Sequence, residues 1–92
     1  FRYRGMKPRI LIADDEPSIV VALEFLLRQQ DYDVQTVADG SVLFERTLGW
    51  RPDLIVLDVM LPNRSGFDLC RDLRADPRTT AIPIVMVTAK GR

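Results

Sequence analysis

Three short, nearly continuous apolar runs constrain this chain most: Ile10-Leu11-Ile12-Ala13, Leu54-Ile55-Val56-Leu57 and Ile84-Val85-Met86-Val87. They are rich in β-branched residues and too short for helices. Such runs read as strands buried on both faces, the pattern of a parallel sheet. Val34-Gln35-Thr36-Val37 is mixed in character, as an edge strand is. Helical segments lie between the strands. Pro17 suits a first helical residue, because its missing N–H would have no intrahelical partner. Ile19, Val20, Leu23, Leu26 and Leu27 then recur at three- and four-residue spacing, one apolar face on to about Gln30. A second helix is predicted from Asp39 as N-cap to Gly49 as C′, with Val42, Leu43 and Leu48 turned inward. A third begins at Ser65, with Asp68 three residues on as a weaker form of the capping box, and has Leu69, Cys70 and Leu73 on its apolar side. Asp76-Pro77 ends it, since Pro77 disfavours a helical Asp76. The order β-α-β-α-β-α-β implies right-handed crossovers and an α/β fold. Ninety-two residues leave room for one core and one domain.

In parallel α/β sheets, ligands bind beyond the C-terminal ends of the strands. The first strand runs into Asp14-Asp15-Glu16, the third ends at Asp58, and the fourth ends at Thr88. Each has a plain reading alone. Asp15 or Glu16 could cap a helix, Asp58 could close a strand before a turn, and Thr88 could be a turn residue. If the first and third strands are neighbours, however, Asp14, Asp15 and Asp58 converge on one crevice. Carboxylates that close repel each other and call for a counter-cation. Few ligands, all of them oxygen, suit Mg²⁺.

Composition narrows the chemistry further. The chain has no histidine, which removes His-based acid–base catalysis, Ser-His-Asp triads and His-ligated zinc. Thirteen basic residues balance thirteen acidic ones, which argues against a general polyanion binder. Cys70 is the single cysteine, so no internal disulfide forms, and a reducing cytoplasm suits it. No apolar run approaches the length of a membrane span, and no signal peptide is expected at Phe1-Arg2-Tyr3-Arg4-Gly5.

Ile10 to Glu16, Asp53 to Asp58, Met60-Leu61-Pro62, Ser65-Gly66-Phe67 and Val87-Thr88-Ala89 together resemble the receiver domains of two-component response regulators. The resemblance covers residues 8–90, in the family's order and spacing. It implies a flavodoxin-like, doubly wound parallel sheet of order 2-1-3-4(-5). It implies that Asp58 accepts a phosphoryl group from a sensor histidine kinase or phosphotransfer protein. Asp14 and Asp15 would hold Mg²⁺ with Asp58, Asp15 being the more direct ligand, and the Met60 backbone carbonyl would be a further ligand. Thr88 would bond the new phosphoryl oxygen and act in the switch. Pro62 and Gly66 match positions that shape the loop after the acceptor. Lys90 matches a common lysine of the loop after the fourth strand, not the family's functional one. The chain would phosphorylate itself with Mg²⁺ and would not turn over substrate.

Residues 1–6 are expected to be a native extension or a vector-derived remnant, and residues 7–92 a receiver domain incomplete at its C-terminus. The fourth helix, the fifth strand with its phosphate-pairing lysine, and the fifth helix are expected to be missing. A fourth strand left as an apolar edge would invite pairing, so a homodimer or domain-swapped dimer is one expectation. A DNA-binding or other output domain in a longer protein is another. The alternative function is a receiver-like docking or dimerisation module that is never phosphorylated. A Mg²⁺-dependent phosphohydrolase fits least, because Met60 stands where haloacid-type phosphatases need a second acid.

Overall fold

The structure is a computed structural model and describes residues 6–87. Its strands are β1 (Arg9–Ala13), β2 (Asp33–Val37), β3 (Leu54–Asp58) and β4 (Ile84–Val87). Between them lie α1 (Pro17–Gln29), a short 3₁₀ turn (Gly40–Val42) leading into α2 (Leu43–Trp50), and α3 (Gly66–Ala75). All strand pairs are parallel and the sheet order is β2-β1-β3-β4, as the resemblance implied.

Alternation along the strands divides the core in two. Leu11, Ala13, Ile55 and Leu57 face α2 and α3, where Leu43, Leu69 and Leu73 complete a buried cluster. Ile10, Ile12 and Val34 face the other way, against Val20, Leu23 and Leu27 of α1. β1 is buried on both faces, as an inner parallel strand should be. β4 departs from that expectation. Ile84 and Met86 pack on the α2/α3 side, but Val85 points to the opposite face and is 48% exposed. Among the described strands β4 pairs only with β3.

Local signals set most helix ends. Pro17 opens α1, while Leu26, expected on its inner face, is exposed. Ser65 caps α3 by accepting the Asp68 N–H at 3.1 Å. The Asp68 carboxylate does not complete a capping box and pairs with Arg71. The end of α2 differs from expectation. The helix passes through Gly49 to Trp50, and Arg51 takes the left-handed cap conformation at φ 60°. Trp50 explains this, because it packs on the core and Arg9 holds it. The Arg9 guanidinium lies 5.7 Å from the Trp50 ring centroid and donates to the Trp50 carbonyl at 2.6 Å. Val42 is exposed and Leu48 only half-buried, whereas Thr47 is fully buried with its hydroxyl bonded to the Leu43 carbonyl.

After α3 the chain turns on Asp76. Arg78 donates to both carboxylate oxygens of Asp76, and this bridge lowers the Asp76 pKa from 3.8 to about 2. The backbone N–H of Arg78 adds to the effect. A folded value below the ordinary one means the turn's stabilisation is present above about pH 4 and is lost as pH falls toward 2. NMR titration of Asp76 is expected to show a midpoint near 2 that Arg78→Ala returns toward 3.8. A wild-type midpoint at the ordinary value would rule the bridge out.

Candidate metal and phosphoryl site

The register between β1 and β3 builds the site. Ala13 pairs with Leu57, so the next residues, Asp14 just past β1 and Asp58 at the last position of β3, lie side by side at the strand ends. β1 lies between β2 and β3, where the chain order across the sheet reverses. Such a switch point opens a crevice beyond the strand ends. One carboxylate oxygen from each of Asp14, Asp15 and Asp58 lies within 4.8 Å of the others.

The three side chains differ in setting. Asp14 and Asp58 are buried, at 3% and 1% exposure, and Asp15 is open to solvent. Asp14 Oδ1 accepts the Glu16 N–H at 2.9 Å, which turns the chain into α1. Glu16 itself occupies the N-cap of α1 without a side-chain cap bond. Asp58 Oδ1 accepts the Met60 N–H at 3.1 Å. That bond brings the Met60 main chain to the acceptor, while its side chain points outward and is 58% exposed. Thr88 and Lys90 lie outside the described residues.

The donor set fits a hard divalent cation. It is all oxygen and rich in charge, and it is open on the Asp15 side, where waters and a phosphoryl oxygen could complete a shell. Among the described residues these three form the only such group of acids.

Behind the cluster, backbone packs on backbone. Gly66 opens α3 and donates its N–H to the Val59 carbonyl at 2.8 Å. A Cβ at Gly66 would overlap the Asp58 carbonyl oxygen and sit 2.8 Å from Val59 Cα. Gly40, after β2, is equally tight against Arg64. Sequence reasoning gave Asp39 only the role of a helix cap. In the structure it also accepts the Asn63 amide at 2.6 Å, across 24 residues.

The sequence profile described as "Response regulator receiver domain" matches residues 10–92. This chain belongs to that family. Receiver domains are signalling modules that in general accept a phosphoryl group on an aspartate from histidine kinases. The receiver is 46% identical over 85 residues to the DNA-binding response regulator MtrA of Mycolicibacterium smegmatis, covering 92% of this chain and 36% of that protein. It is 45% identical to the transcriptional regulatory protein PhoP of Bacillus subtilis, again over 92% of this chain and 35% of the relative. The chain thus spans about a third of the length of these relatives.

Among solved structures, a response regulator from Chloroflexus aurantiacus superposes with a TM-score of 0.88 at 34% identity, over 95% of this chain and 71% of that one. The receiver domain of a Pseudomonas aeruginosa sensor histidine kinase gives a TM-score of 0.85 at 32% identity, over 91% and 69% of the two chains. That neighbour holds a magnesium ion in its active-site cleft. Among the described residues no helix of the receiver is long and apolar enough to cross a membrane.

Proposed function

We propose that this receiver takes a phosphoryl group onto Asp58 from a phosphohistidine of a sensor histidine kinase, with Mg²⁺ held by Asp14, Asp15, Asp58 and the Met60 carbonyl. The single observation that carries this is the convergence of the three carboxylates within 4.8 Å at the strand ends. Bound Mg²⁺ supplies positive charge against the phosphoryl oxygens.

The chain's own residues do the rest. A carboxylate oxygen of Asp58 attacks phosphorus. The P–O bond forms as the P–N bond to the donor imidazole breaks, and the electron pair of that bond goes to the imidazole. The Met60 N–H bond to Oδ1 orients the acceptor carboxylate. Burial of Asp58 and Asp14 limits competing water, while the exposed Asp15 side leaves a path for the donor. The Thr88 hydroxyl then bonds the new phosphoryl oxygen, and the added charge biases the switch.

The product is a stoichiometric aspartyl phosphate, not a turnover product. The names of the two curated relatives support a DNA-binding or transcriptional output in the whole protein. The same reading places the chain in the cytoplasm, where phosphoryl donors are made from ATP.

Metal removal tests the proposal. Acetyl phosphate with Mg²⁺ is expected to add one phosphoryl group to the intact mass, and the same reaction in EDTA is expected to add none. Equal modification with and without Mg²⁺ would overturn the metal's role.

A further inference from the structure

Two loops meet beside the acidic cluster, and polar contacts tie them. In the loop after β2, Asp39 Oδ1 accepts the Ser41 N–H at 2.7 Å, and Asp39 Oδ2 accepts the Asn63 side-chain amide at 2.6 Å. The next residue, Gly40, donates its N–H to the Pro62 carbonyl at 3.0 Å. A Cβ at Gly40 would lie 2.5 Å from the Arg64 carbonyl oxygen and 2.8 Å from Arg64 Cβ, so the loops touch without a gap. Leu61 is buried in the core, whereas Pro62, Asn63 and Arg64 beyond it are exposed, and Arg64 pairs with Asp72 of α3. Asn63 sits at φ 71°, a left-handed conformation that Asn tolerates better than most residues. The segment so held begins at Met60, whose N–H bonds the Asp58 carboxylate.

We infer that Asp39 is a positioning residue for the phosphoryl site: through Asn63 it holds the loop after β3, and so the Met60 main chain, against the acidic cluster. Asp39 touches neither metal nor phosphoryl group. The inference rests on the Mg²⁺-dependent reading above. A role limited to capping the 3₁₀ turn would need only the Ser41 bond.

Asn63→Asp separates the two roles. It leaves the Ser41 cap intact and sets two carboxylates face to face where the amide bond had been. Simple electrostatics says that an added negative charge near the site should tighten Mg²⁺ binding. A broken strap says the opposite. Calorimetric titration of the intact protein with Mg²⁺ alone is expected to show about fivefold weaker binding for Asn63→Asp, the scale of one charge-assisted hydrogen bond only partly transmitted to the site. Adding Asp39→Asn restores a donor–acceptor pair at unchanged net charge, and affinity should return to within about twofold of wild type. Asn63→Gly removes the amide, accepts φ 71° without strain, and should lose about as much as Asn63→Asp. Wild-type or tighter binding in Asn63→Asp or Asn63→Gly overturns the inference alone. A wild-type protein that takes up no Mg²⁺ overturns the metal reading and this inference together.

Discussion

Asp58→Asn is expected to abolish modification by acetyl phosphate and, at the same time, to raise the melting temperature of the metal-free protein. The amide keeps the shape of the carboxylate, and its carbonyl oxygen can still accept the Met60 N–H. What it loses is a nucleophilic anion, so no acyl phosphate forms. It also removes one of three negative charges packed within 4.8 Å. At an effective dielectric near 20, each such pair repels by roughly 3 kcal/mol before other partners are counted. Relief of even about 1 kcal/mol would raise the melting temperature by about 4–8 °C in a domain of this size. Mg²⁺ should bind the variant about tenfold more weakly, because one charged ligand has become neutral. Intact mass after acetyl phosphate treatment, beside thermal melts with and without Mg²⁺, checks all three effects. Phosphorylation of the Asn variant at the wild-type level would remove Asp58 as the acceptor.

This pairing of lost function with gained stability follows from how the site was legible at all. The acids could be read from sequence because their positions depend on strands alone. Ile10–Ala13 and Leu54–Leu57 declare themselves by apolar, β-branched composition, and parallel pairing of two such strands puts whatever follows them side by side. Asp14, Asp15 and Asp58 violate the apolar pattern where it should close, and burying charges such as those of Asp14 and Asp58 costs stability unless they are paired, hydrogen-bonded or bound to a ligand.

Features set by contacts between distant residues stayed hidden. Gly49 carries the local signature of a helix stop, yet α2 continues, because Arg9 grips Trp50 from 41 residues away. Asp39 reads as a cap and is one, with Ser41, but its second oxygen serves Asn63 in another loop. Nothing within a few residues of Asp39 announces that bond.

Gly66 carries the second large effect, and Gly49 provides its control. The three atoms nearest to a methyl group at Gly66 would all be backbone, the Asp58 carbonyl oxygen and carbon and Val59 Cα. None of these atoms can rotate aside as a side chain would. Either α3 or the Asp58–Val59 segment must move. Leu69 and Leu73 hold α3 in the core at 2% and 0% exposure, as Leu57 and Asp58 are held at 0% and 1%, so the acceptor segment shares the shift. Gly66→Ala is therefore expected to cost about 2–3 kcal/mol and to weaken Mg²⁺ binding more than about tenfold. At Gly49 a methyl group would have nothing within 4 Å of it, and the residue is helical. Gly49→Ala should stabilise by about 0.5 kcal/mol and leave Mg²⁺ affinity unchanged. The same chemical change thus has opposite signs at two positions, because one glycine faces solvent and the other lies against the acceptor's own backbone. Denaturant melts and Mg²⁺ titrations of both variants measure this contrast. A Gly66→Ala protein with wild-type stability and Mg²⁺ affinity would show that α3 can shift without moving Asp58.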